Sequence, residues 1–170
     1  METNSVSFFA SQQMKSVHKN SELILAVWEI GNPGNAGQII RLAHNVGAKR
    51  VFFVNDKTDF RTSKIKKTAG FSFEQMSWGF ISHERFLEFL KNEFQLVVLE
   101  TCEGSKSIYK SKFPEKTILL AGGESHGIPS EIIKKSKLQI HIPMPGGCKS
   151  MNVSHALSVA AFEWYRQKTV

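Results

Sequence analysis

Short apolar runs alternate with amphipathic stretches along most of this chain, and that alternation limits it to a parallel sheet covered on both faces by helices. From residue 22 the run ELILAVWEI reads as a buried strand, followed by the turn chemistry NPGNAG. Residues 38–46 carry Ile39, Leu42, Ala43 and Val46 on one helical face. AKRVFFVND reads as a second strand and RTSKIKKTAG as a basic helix or loop. Residues 84–94 read as a helix with Phe86, Leu87, Leu90 and Phe94 on one side. QLVVLET, KTILLAGG and KLQIHIPM are three further strands, and PSEIIKKS is a short helix with proline at its start. The last helix spans about residues 151–168, with Val153, Ala156, Leu157, Ala160, Ala161 and Trp164 along one seam. The expected organisation is one α/β domain over residues 22–170 behind a polar arm of residues 1–21.

Composition removes several classes. A hydrophobic fraction of 41% with 22% charged residues excludes disorder as the main state. Apolar runs such as residues 118–121 and 156–162 are too short to span a membrane. The first residues lack a basic start and an apolar stretch, so the expected location is the cytoplasm. Cys102 and Cys148 are far apart in sequence and read as free, buried thiols. No histidine sits in an HExxH or Cys/His pattern, so no metal is expected. A net charge of +7 suits a polyanionic partner, and equally a generic basic surface.

Ligands of parallel sheets bind outside the carboxyl ends of the strands, and three unusual clusters fall there. Asn32-Pro33-Gly34-Asn35-Ala36-Gly37, with Arg41 one turn on, follows the first strand. Its spacing is neither GxGxxG nor a phosphate loop. Gly122-Gly123-Glu124-Ser125-His126-Gly127 follows KTILLAGG and lacks the GxSxG of a nucleophile elbow. The third, residues 142–155, holds two prolines and two glycines before Ser150, Asn152 and Ser154, each able to cap the final helix.

In this order and spacing the clusters resemble the SpoU (TrmH-like) branch of the SPOUT RNA 2′-O-ribose methyltransferases. The family's N-x-G-x-x-x-R is matched by residues 35–41, its G-x-E-x-x-G-[LI] by residues 122–128, and its I-P-M followed by S-[LM]-N-[VL]-S by residues 142–144 and 150–154. The segment Thr68-Ala69-Gly70-Phe71 is similar, less closely, to a fourth family segment. The resemblance covers about residues 22–168. It implies a parallel sheet with a C-terminal deep trefoil knot, a homodimer, and methyl transfer from S-adenosylmethionine to a ribose 2′-hydroxyl, leaving S-adenosylhomocysteine and using no metal.

The same resemblance places the site residues. Arg41 matches the catalytic arginine. Because a guanidinium holds its proton tightly, the expected role is a cation beside the developing alkoxide and the adjacent phosphate. Asn35 and Glu124 would orient Arg41 and shape the loops. Ser150 and Asn152 would meet the ribose or brace the cofactor loop. Backbone groups at Leu99, Glu100, Gly122, Gly123, Ile142, Met144 and Met151 would hold the cofactor, with glycine at 122 and 123 so that no side chain blocks the adenosine. Arg61, Lys64, Lys66 and Lys67, with Lys57, would track RNA phosphates, as could Lys134, Lys135 and Lys137. The apolar seam ending at Trp164 would serve the dimer contact or ordinary internal packing. The near-minimal length tilts the expected substrate toward tRNA over rRNA. The rival readings are a non-catalytic RNA-binding module that keeps the fold and a knotted methyltransferase acting on a base.

Overall fold

Each central strand reads as a near-continuous apolar run because helices cover the sheet on both faces. The computed structural model describes residues 4–12, 15–56, 60–125 and 127–169. Seven strands, β1 (Glu22–Trp28), β2 (Arg50–Val54), β3 (Trp78–Ile81), β4 (Gln95–Leu99), β5 (Lys106–Ser107), β6 (Lys116–Gly122) and β7 (Leu138–His141), form one parallel sheet. Their order is β3-β2-β1-β6-β4-β7-β5. Alternate residues of β1 feed two cores: Leu23, Leu25 and Val27 enter one, Ile24, Ala26 and Trp28 the other. After the short N-terminal helix α1 (Ser5–Ser11), helices α2 (Pro33–Val46), α3 (Thr62–Ala69), α4 (Ser72–Gln75), α5 (His83–Phe89), α6 (Ser130–Ile133) and α7 (Val153–Lys168) complete the fold. Residues of α2, α3 and α7 close the first core, and Phe86 of α5 with Ile132 of α6 the second.

Several elements differ from the sequence reading for local reasons. β1 stops at Trp28, two residues short of the apolar run, because Glu29 turns into the left-handed region at φ 56°. That turn is held by the Glu29 N–H to the Val54 carbonyl (2.9 Å) and by His83, which stacks on Trp28 and lies 2.6 Å from the Glu29 carboxylate. α5 ends at Phe89 rather than near 94, where the Asn92 side chain accepts the Phe94 N–H (2.7 Å) and offers the backbone a turn instead. β3 and the two-residue β5 were not expected; both lie at sheet edges. Trp164, Leu157, Ala160 and Ala161 are buried within the chain's own first core, so the seam of α7 is spent on internal packing and not on a dimer contact.

β7 lies between β4 and β5, which residues 100–105 already join. A chain end drawn between two linked strands is consistent with the threaded C-terminal segment expected of the family. The amino-terminal segment is tied to α7 by an antiparallel bridge from Val17 to Thr169 and by the His18 N–H to the Lys168 carbonyl (2.8 Å). Among the described residues no helix is long and apolar enough to cross a membrane.

Candidate active site

Strand register brings the carboxyl ends of four strands level: Trp28 pairs with Gly122, Ala121 with Leu99, and Leu99 with Ile140. The loops leaving these ends enclose a cavity of about 480 Å³, a size typical of a small-molecule site. Leu99, Glu100, Gly122, Gly123, Ile142, Met144 and Met151 all line it, as do Glu124, Ser150 and Asn152. Thr101, His141 and Lys149 line it too, and the sequence reading missed them. Their adjacency to motif residues was the available signal.

The three clusters meet in one hydrogen-bonded network. Asn32 caps α2, accepting the Gly34 N–H (2.7 Å), and Pro33 opens the helix, which sets Asn35 on its first turn. The Asn35 amide donates to Glu124 Oε1 (2.7 Å), while Glu124 Oε2 accepts the Gly31 N–H (2.7 Å). The Asn152 amide donates to Asn35 Oδ1 (3.1 Å). Asn152 Oδ1 caps α7 by accepting the Ser154 N–H (2.9 Å). The Ser154 hydroxyl lies 2.5 Å from Gln38 Oε1 and 2.7 Å from Asn152 Oδ1, and its single proton serves one of the two at a time. Gln38, given no role in the sequence reading, thus links α2 directly to α7. Residues more than 80 positions apart in sequence are held together at the mouth of the cavity.

The family model of the SpoU rRNA methylases matches residues 22–162. The chain belongs to this family. It is 26% identical over 155 residues to the tRNA (guanosine(18)-2′-O)-methyltransferase of Aquifex aeolicus, covering 88% of this chain and 72% of that one. It spans about three fifths of the length of the curated 23S rRNA (guanosine-2′-O-)-methyltransferases that it also matches. Among solved structures, an AdoMet-bound rRNA methyltransferase from Sinorhizobium meliloti matches with a TM-score of 0.80 and 25% identity, over 88% of this chain and 57% of that one. A structure described as giving insights into the 2-OH methylation of C/U34 on tRNA matches with a TM-score of 0.77 and 30% identity, over 87% of this chain and 97% of that one.

Two of the expected roles can be set beside this geometry. Arg41 is exposed on α2 and does not line the cavity, and among the described residues no hydrogen bond joins it to Asn35 or Glu124. Glu124 accepts from Gly31 and Asn35, and Asn35 Oδ1 accepts from Asn152, so the bonds of this network run between loops. Arg41 instead follows Gln38 by three residues, the spacing of neighbours on a helix surface. The second concerns the glycines, for which backbone packing gives a further reason. A Cβ on Gly123 would sit 2.0 Å from the Glu29 carbonyl oxygen, and one on Gly122 2.8 Å from the Gly127 Cα. Close approach of protein backbone requires glycine there without any ligand. Gly37 is fixed the same way, since its Cβ would fall 2.6 Å from the Ile65 carbonyl oxygen of α3.

The basic groups divide by position. Arg61 precedes α3, and Lys64, Lys66 and Lys67 lie exposed on it, against the helix that carries Arg41. Lys66 is already paired with Glu74 (2.7 Å), which offsets its charge. Lys137 donates its N–H to the Leu96 carbonyl at the amino ends of β4 and β7, so Lys134, Lys135 and Lys137 cluster at the end of the sheet away from the cavity. Lys57 and His126 lie outside the described residues. The cysteines are free, but Cys148 is exposed and Cys102 half-buried, against the expectation of two buried thiols. The backbone and hydroxyl of Ser150 lower the Cys148 thiol, whereas burial, then Glu100, raises that of Cys102. Among the described residues no group of His, Cys, Asp and Glu is arranged to hold a metal.

Proposed function

We propose that this protein transfers a methyl group from S-adenosylmethionine to the 2′-hydroxyl of a ribose in tRNA, with residues 22–170 as the catalytic domain and residues 1–21 as an arm. One observation carries the reading: Asn35, Glu124 and Asn152, one from each motif, join in a single network beside a cavity of cofactor size. The cavity suits the cofactor, with apolar walls at Leu99, Ala121, Ile142 and Val153 and polar loops around them. The bound cofactor supplies a methyl group already activated by its sulfonium charge.

The chain's own residues then align and stabilise. Ser150 and Asn152 at the cavity wall position the ribose, and the Asn35 and Glu124 bonds fix the loops that carry them. Arg41, with no acidic partner among the described residues, is free to place its charge beside the ribose oxygen and the neighbouring phosphate. Arg61, Lys64 and Lys67 extend that cation surface along the RNA, with Lys66 contributing less because of Glu74. The tRNA assignment is supported by the match to the tRNA 2-OH methylation structure along nearly its whole length. The active form is a homodimer, and Phe162, exposed on α7, is one apolar residue available to that contact.

Calorimetric titration of S-adenosylmethionine into the wild type and Arg41→Ala tests this reading. Binding by both, with methyl transfer to tRNA by the wild type alone, is expected. A wild type that binds RNA but neither binds nor consumes the cofactor would contradict it.

A further inference from the structure

We propose that Lys149 is the counter-ion for the carboxylate of the cofactor's amino-acid end, so that the site distinguishes the intact cofactor from its truncated nucleoside. The assignment rests on the cofactor reading above.

The charges that line the cavity carry the argument. Two are carboxylates, and both are already engaged by the protein. Glu124 accepts from Gly31 and Asn35, and Glu100 accepts from the N–H groups of Thr101 (3.0 Å) and Ile128 (3.3 Å). His141 is held through Nδ1 by the Ser105 hydroxyl (2.9 Å). Lys149 is the one lysine or arginine lining the cavity among the described residues. Its Nζ donates to the Met144 carbonyl (2.8 Å), across the loop whose two ends both face the cavity. An ammonium has three donors, so two remain, and no acidic group lies within ion-pair distance among the described residues.

S-adenosylmethionine carries a sulfonium, an ammonium and a carboxylate. The first two are compatible with a cavity bordered by Glu100 and Glu124. The carboxylate is repelled by both and needs a cation, and Lys149, exposed at the cavity edge and bonded to the Met144 carbonyl, supplies one. An RNA phosphate is the competing anion for the same ammonium, and the test separates the two.

S-adenosylhomocysteine and 5′-methylthioadenosine, which lacks the amino-acid end, are titrated into the full chain as wild type, Lys149→Met and Lys149→Arg. Lys149→Met is expected to weaken S-adenosylhomocysteine about tenfold and methylthioadenosine less than about twofold, with Lys149→Arg recovering most of the loss. Equal loss for both ligands would make Lys149 a loop support and overturn the assignment. Unchanged affinity for both, with weaker RNA binding, would assign the ammonium to phosphate and overturn it as well. A wild type that binds neither ligand would overturn the cofactor reading and this assignment with it.

Discussion

Arg41 stands apart from the polar network around it, and that separation has a kinetic consequence. A cation that acts on the developing charge, and not on the cofactor, is lost without loss of binding. Arg41→Ala is therefore expected to lower methyl transfer about a hundredfold or more while cofactor affinity stays within about twofold. Steady-state rates beside calorimetry check this, and near-normal turnover would contradict it. Cys148 and Cys102 offer a second test at this scale. The Ser150 contacts favour the Cys148 thiolate, while burial and Glu100 disfavour that of Cys102. Iodoacetamide near neutral pH should label Cys148 well before Cys102 by peptide mass mapping; the reverse order would contradict the loop geometry. The cavity-lining positions were legible because motif spacing is a local signal. The network itself was not, because the bonds of Glu124 to Gly31 and Asn35 join residues far apart in sequence and exist only after folding.

At the scale of elements, the contact of α2 with α3 ties the motif that bears Arg41 to the basic surface. Gly37→Ala would place a Cβ 2.6 Å from the Ile65 carbonyl oxygen. Backbone cannot yield there as a flexible side chain does, so a cost of about 1–3 kcal/mol in stability is expected, read from denaturant unfolding. A neutral result would mean that the two helices are not held this closely. Charge reversal at Lys64 and Lys67 should flatten the salt dependence of RNA affinity by between about one and two in log–log slope, whereas reversal at Lys134 and Lys135, at the far end of the sheet, should leave it unchanged. Equal effects from both pairs would contradict the placement of the RNA surface. The long, periodic elements β1, β6, α2 and α7 were legible in the sequence. β3 and β5 were not, because a four-residue and a two-residue edge strand carry too few alternations to register. The early end of α5 depends on one Asn92 side chain, which periodicity cannot weigh.

For the whole molecule, the sheet order and the inserted β7 followed from no periodicity, since strand order depends on long-range pairing; the motif resemblance implied a knotted C-terminal segment but no strand order. The residue before β1 and the last turn of α7 meet at Glu115, which accepts from the Ser21 hydroxyl and from Lys168 Nζ. Ser21, then Lys168, hold its carboxyl below the usual carboxylate value, and Lys49 does the same for Glu22 as Arg166 does for Glu163. A lowered folded pKa stabilises at pH above the unfolded value and loses that contribution as pH falls through the folded one. Stability should therefore decline on acidification below about pH 4.5, and Glu115→Gln should make the decline shallower. An unchanged acid limb in that variant would contradict the role of this junction. The central claim is ribose methylation in tRNA, and the product reports on it most directly. Purified protein, tRNA and isotopically labelled S-adenosylmethionine are incubated, and the RNA is digested to nucleosides for mass spectrometry. The account predicts label on the ribose, as a 2′-O-methylnucleoside from tRNA and absent with Arg41→Ala; label on a base, or none at all while the cofactor binds, would contradict it.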